Sequence, residues 1–152
     1  MTLRSLHLAI FFLLATACSA HAQKPEALLV GKWNFVSLTK VEDGVETNPK
    51  PPPGESTLQY AADGTWTLTI PNGLVKGTYR WIDPSHAEHK TVESNNPKQV
   101  GYVSVKEMKV TADKLILVTT NTREDMEKFS PAPAGKPYPN VSIVTSTFTR
   151  AR

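Results

Sequence analysis

Two histidines three residues apart, His86 and His89, share a short segment with Asp83, Glu88 and Glu93. Imidazole with carboxylate is a donor set that zinc accepts, so metal chemistry is the first activity to test. The spacing argues against it. Metal-binding histidines sit at i, i+4 on a helix or on adjacent strands, whereas residues three apart on one strand face opposite ways. The pair follows Asp83-Pro84, so the segment reads as a solvated loop, and no residue outside it completes a site around His86 and His89. Other chemistry finds no better footing. There is no Gly-x-Ser-x-Gly elbow and no Gly-rich phosphate loop. The carboxylate pairs Glu42/Asp43 and Glu124/Asp125 are neighbours in loop-like stretches, where solvation explains them. The sequence therefore predicts no catalytic residue, no cofactor and no enzymatic activity.

A second set of residues points to binding. Phe35, Tyr60, Trp66, Leu68, Tyr79, Trp81 and Tyr102, with Phe148, are spaced to line one face of successive strands. In a filled β-structure they are core. In a hollow one they line a pocket that is apolar apart from a few Tyr and Thr hydroxyls. The Pro-rich stretches 48–55 and 130–140 then stand at one end, where they rim the mouth.

The elements that position these residues are almost all strands. Gly31 to Thr39 is β-prone with partial alternation, and Asp43 to Glu55 reads as an exposed loop. Thr57–Tyr60 and Trp66–Ile70 flank Ala62-Asp63-Gly64, a short-hairpin signal because Asp-Gly accepts positive φ. Trp66, Leu68 and Ile70 share one face and Thr65, Thr67 and Thr69 the other, the pattern of a half-buried antiparallel strand. Lys76–Ile82, Lys90–Ser94, Gly101–Val110, Lys114–Thr120 and Val141–Arg150 follow. Residues 24–30 form a lead-in or one helical turn over the barrel's end, and Thr122-Arg123-Glu124-Asp125 starts a second short helix. Strands joined to their neighbours in this order predict an all-β, antiparallel, up-and-down eight-stranded β-barrel, with a β-sandwich as the alternative.

The N-terminal segment is set apart by composition. Arg4, the apolar run Leu8 to Ala17 and Ala20-His21-Ala22 match the charged, apolar and small-x-small regions of a signal peptide. The apolar run falls short of the about 20 residues that span a bilayer. The expected division is a signal peptide over 1–22 and one domain over 23–152, exported to a periplasm or secreted. Cys18, in Leu14-Ala15-Thr16-Ala17-Cys18, offers an alternative as the acylated cysteine of a membrane-anchored lipoprotein. It is the one cysteine of the 152 residues, so no disulfide framework can form. The mature chain is only slightly basic, with Lys and Arg scattered among Asp and Glu, which excludes a nucleic-acid stripe.

Gly31-Lys32-Trp33 at the first strand, Asp63-Gly64-Thr65, Gly77-Thr78-Tyr79 and the closing Thr147-Phe148-Thr149-Arg150 together resemble the bacterial lipocalin-like domains. The resemblance implies that Gly31, Trp33 and Arg150 are a structural motif, with Trp33 at the closed end of the barrel and Arg150 packed across it. It also implies a non-enzymatic protein that binds a small apolar or amphipathic molecule inside the barrel. A filled barrel acting as an interaction or inhibitor module in the envelope is the alternative.

Overall fold

In this computed structural model the described residues are 24–50, 54–130, 135 and 137–152. The signal segment, its cleavage site and Cys18 lie outside them. The chain runs through α1 (Pro25–Leu29), β1 (Gly31–Glu42), β2 (Val45–Thr47), β3 (Thr57–Tyr60), β4 (Thr65–Ile70), β5 (Gly73–Asp83), β6 (His86–Ser94), β7 (Val103–Val110), β8 (Lys114–Thr122), α2 (Arg123–Phe129) and β9 (Val141–Arg150). Each strand from β3 to β9 pairs antiparallel with the next, and β1 pairs with both β3 and β9. That last pairing closes an eight-stranded up-and-down barrel, which rules out the sandwich and leaves β2 as a short addition on β1. Among the described residues, no helix is long and apolar enough to cross a membrane.

Three elements differ from the sequence expectation. The stretch after Asp43 is not all loop: Asp43-Gly44 turns the chain, and Val45–Thr47 folds back on Lys40–Glu42. The Asp43 carboxylate also accepts from the backbone N–H of Asn140 (2.9 Å) and Val141 (3.1 Å), tying this turn to the start of β9. The segment around the two histidines is strand from His86 onward, not a solvated loop. β1 continues three residues further than its alternation suggests, because a bulge between Phe35 and Ser37 resets its phase. Phe35 pairs with Phe148 before the bulge, and Leu38 and Lys40 pair with Ser146 and Val144 after it. One extra residue thereby keeps inward side chains inward along the whole strand.

The core occupies one end of the barrel. Leu29, Trp33, Leu58, Tyr60, Trp66, Ala87, Met108, Leu115, Leu117 and Phe148 form a single buried cluster. α1 acts as its plug: Leu29 is fully buried, and its carbonyl accepts from Trp33 Nε1 at 2.9 Å. The Arg150 guanidinium holds the plug in place, donating to the carbonyls of Val30 (3.1 Å), Leu28 and Ala112 (2.6 Å). Gly31 makes room for it. Its φ of +139° is one that side chains rarely adopt, and a Cβ there would lie 2.5 Å from Arg150 Nη1.

Candidate functional site

Beyond the packed end, the inward face of the barrel turns polar. The pairings place Ala87, Lys106, Thr119, Val144 and Lys40 in one row across β6, β7, β8, β9 and β1. Lys106 Nζ donates to Thr119 Oγ1 at 2.9 Å. The ammonium fronts a cavity of about 270 Å³ whose wall includes Tyr102, Thr119, Asn121 and Ser146. Two further cavities share residues with it. One of about 380 Å³ lies under Met126 and Tyr138, between Lys40, Glu42 and Ser142, and shares Asn121, Ser130 and Val144 with the first. The other, of about 370 Å³, is lined by Phe35, Leu38, Leu68, Ile70 and Phe148 and shares Ser146. Pro49 and Lys50 stand at this apolar cavity's edge, beside a stretch of β1 that, among the described residues, has no ladder partner between its pairings with β3 and β2. The barrel is packed at one end and hollow at the other.

α2 stands over the hollow end and is well anchored for a seven-residue helix. Thr122 and Asp125 form a reciprocal capping box: Thr122 Oγ1 accepts from Asp125 N–H at 3.2 Å, and the carboxylate accepts from Thr122 N–H at 3.0 Å. Met126 points into the barrel and is buried. Phe129 packs on Tyr102 with ring centroids 4.5 Å apart, and the Tyr102 hydroxyl donates to Asn121 Oδ1 at 2.7 Å.

Electrostatics follow from burial. Lys106 falls from its ordinary 10.5 to about 8 because its surroundings desolvate the ammonium. His89 falls from 6.5 to about 3, first through burial and then through the charge of Lys106, with the Ala87 carbonyl opposing. His89 Nδ1 lies 3.3 Å from that carbonyl, which can only accept, so Nδ1 carries the proton. Nε2 is then the acceptor for the Tyr60 hydroxyl at 2.8 Å. Burial, and secondarily Tyr79, raises the Tyr60 pKa, so the phenol stays protonated. The pair is a neutral hydrogen bond sealed in the packed end, His89 being 3% and Tyr60 1% exposed.

No protein-family model matches the sequence, and no curated protein does. Among solved structures the chain is similar to EF1p2_mFAP2b bound to DFHBI, at 12% identity and a TM-score of 0.46, over 84% of this chain and 98% of that one.

The residues singled out in the sequence are distributed over four places. Phe35 and Leu68 line the apolar cavity, and Tyr102 lines the polar one. Tyr60 and Trp66 lie in the packed core. Tyr79 and Trp81 border a recess of about 390 Å³ beside α1, with Glu26, Ala27 and Val30. The histidines part company: His89 points into the core, whereas His86 is outside, its Nδ1 2.9 Å from Asp83 Oδ2. Among the described residues no three His, Cys, Asp or Glu side chains are grouped to hold a metal ion. Lys106, Thr119, Asn121 and Ser146 are additions that sequence reasoning missed. The readable signal was Met108, buried and in phase with Ser104 and Lys106, which fixes the inward face of β7 against the two exposed valines, Val103 and Val105.

Proposed function

We propose that this chain is an exported, non-enzymatic, lipocalin-like binding protein that holds one small amphipathic molecule in the open half of its barrel. The observation that carries the reading is the division of the interior, with an apolar cavity and a polar cavity meeting at Ser146 above a packed floor. Such a space suits a molecule with an apolar body and a polar end, and the protein need only exclude water and orient it. The Gly31-x-Trp33 start with Arg150 across the barrel's closed end supports placing the chain among lipocalin-like proteins. The apolar segment Leu8–Ala17 and Ala20-His21-Ala22 support export, with Cys18 acylation the alternative.

Isothermal titration of the mature protein with octan-1-ol tests the binding. One saturable site per chain is expected, and Ser146→Trp, which fills the junction of the two cavities, abolishes it while the far-ultraviolet spectrum is retained. Binding that survives Ser146→Trp, or no binding by the wild type, overturns the reading. Native mass spectrometry of protein purified from its own envelope tests export, through a mature chain that starts at Gln23 or carries a lipid on Cys18.

A further inference from the structure

Lys106 is the one element of the hollow that the binding reading leaves unexplained. An ammonium inside a barrel is costly unless a counter-charge or a full set of acceptors meets it. Lys106 has the Thr119 hydroxyl and, among the described residues, no carboxylate partner. The acids that face the same space are already engaged. Asp125 serves the capping box through its bonds with Thr122, and Glu42 pairs with Lys40 at 2.5 Å. The Tyr102 hydroxyl is committed to Asn121. Among the described residues, the inward-facing groups left short of partners at the hollow end are the Lys106 ammonium and the buried Ser142 hydroxyl, with the hydroxyls of Thr119 and Ser146 on the ammonium's wall and Lys50 exposed at the rim of the apolar cavity.

Resting on the binding reading above, we propose that the ligand is a single-chain carboxylate whose head pairs with Lys106 Nζ and whose apolar chain passes Ser146 into the cavity of Phe35, Leu38, Leu68 and Ile70. The Lys106 ammonium selects the head. Asp125, the other charged group on that wall, accepts from the Thr122 N–H and hydroxyl, so a carboxylate head has Lys106 as its partner, whereas a phosphate dianion would add a second negative charge to the cavity that also holds Asp125 and a cationic head would meet direct repulsion from Lys106. Charge-assisted bonds from an ammonium are about twice as strong as neutral ones, so removing the head's charge costs affinity as well as specificity.

The test compares octanoate, octan-1-ol and octyltrimethylammonium by isothermal titration at pH 6.5, on the wild type and on Lys106→Met. The wild type is expected to bind octanoate about tenfold or more tightly than octan-1-ol and to bind the cation least. Lys106→Met is expected to lower the affinity for octanoate about tenfold or more and that for octan-1-ol by much less, so that the two ligands bind alike. Wild-type binding of octan-1-ol or of the cation as tight as octanoate overturns the carboxylate site yet leaves the barrel-binding reading intact. A preference for octanoate that persists in Lys106→Met overturns it as well. Absence of binding by all three removes both readings together.

Discussion

Arg150 holds its guanidinium 4.1 Å above the ring of Trp33, while its nitrogens reach carbonyls of α1, of the α1–β1 link and of the β7–β8 turn. One side chain on the last strand therefore fastens the plug, the first strand and a distant hairpin at the closed end. Trp33 is fully buried beneath it, so the stacking is shielded from water on the ring's side.

Arg150→Lys is the informative change, because it keeps the charge and removes the planar fork. An ammonium cannot serve three carbonyls in these directions and stack at the same time. A loss of about 2 kcal/mol is expected in urea unfolding, with a larger loss for Arg150→Met. A lysine variant within about 0.5 kcal/mol of wild type would show that charge alone does the fastening.

Gly77 gives a second, purely steric test. It is the cross-strand partner of Trp66, and a Cβ there would lie 2.0 Å from the Lys90 carbonyl oxygen and 2.6 Å from Trp66 Cε2. The indole lies over the glycine and donates to the Thr78 carbonyl at 3.1 Å. Gly77→Ala must push apart two strands or eject the indole, and a cost of about 2 kcal/mol or more is expected. Thr78→Ala, on the exposed face one residue away, keeps that backbone bond and is expected to stay within about 0.5 kcal/mol. Equal midpoints for the two variants in urea would refute the account.

These two sites show which parts of the fold were legible. The bounds of β3 and β9 are readable to the residue because both are built almost wholly of β-formers and Asp63-Gly64 marks the turn between β3 and β4, although in β9 Val141 and Ile143 face out while Ser142 is buried. The Trp33–Arg150 geometry is legible through resemblance to a family motif, since no periodicity would pair residues so far apart in sequence. The hollow is not legible, for a physical reason. In β7 the apolar Val103 and Val105 face solvent while Ser104 and Lys106 face in, so the usual inference from hydrophobicity to inside runs backwards there. β6 hides in the same way, since its inward residues Ala87, His89 and Thr91 carry little apolar signal.

His89 should make the protein acid-sensitive. Its folded pKa of about 3 lies below its ordinary 6.5, chiefly because burial disfavours the imidazolium. The unfolded chain therefore binds the extra proton throughout that window, and stability falls as pH drops from 6.5 towards 3. The expected contribution is about 1.4 kcal/mol for each pH unit inside the window. His89→Gln, which still offers the Tyr60 hydroxyl an acceptor, removes this slope. Urea midpoints at pH 6.5 and 4.5 check it, and wild type and variant losing stability in parallel would sink it.

Lys106 should behave in the opposite pH range, and at a cost to the fold. Its folded pKa of about 8 against 10.5 means the folded chain gives up its proton earlier than the unfolded one. The penalty is fully present below pH 8 and disappears as pH rises through 10.5, because the unfolded chain binds more protons between those values. Lys106→Met removes the buried charge and fills similar volume, so at pH 7 it is expected to be more stable than wild type by about 2 kcal/mol, with the difference shrinking towards pH 10.5. A stabilising substitution that also erases discrimination for a carboxylate would show that the lysine serves binding at the expense of stability. A fixed concentration of octanoate is expected to raise the wild-type midpoint more than that of Lys106→Met, since a ligand stabilises the folded chain in proportion to how tightly it binds it. A Lys106→Met variant that is less stable than wild type at pH 7 would instead assign the lysine to the structure of the barrel.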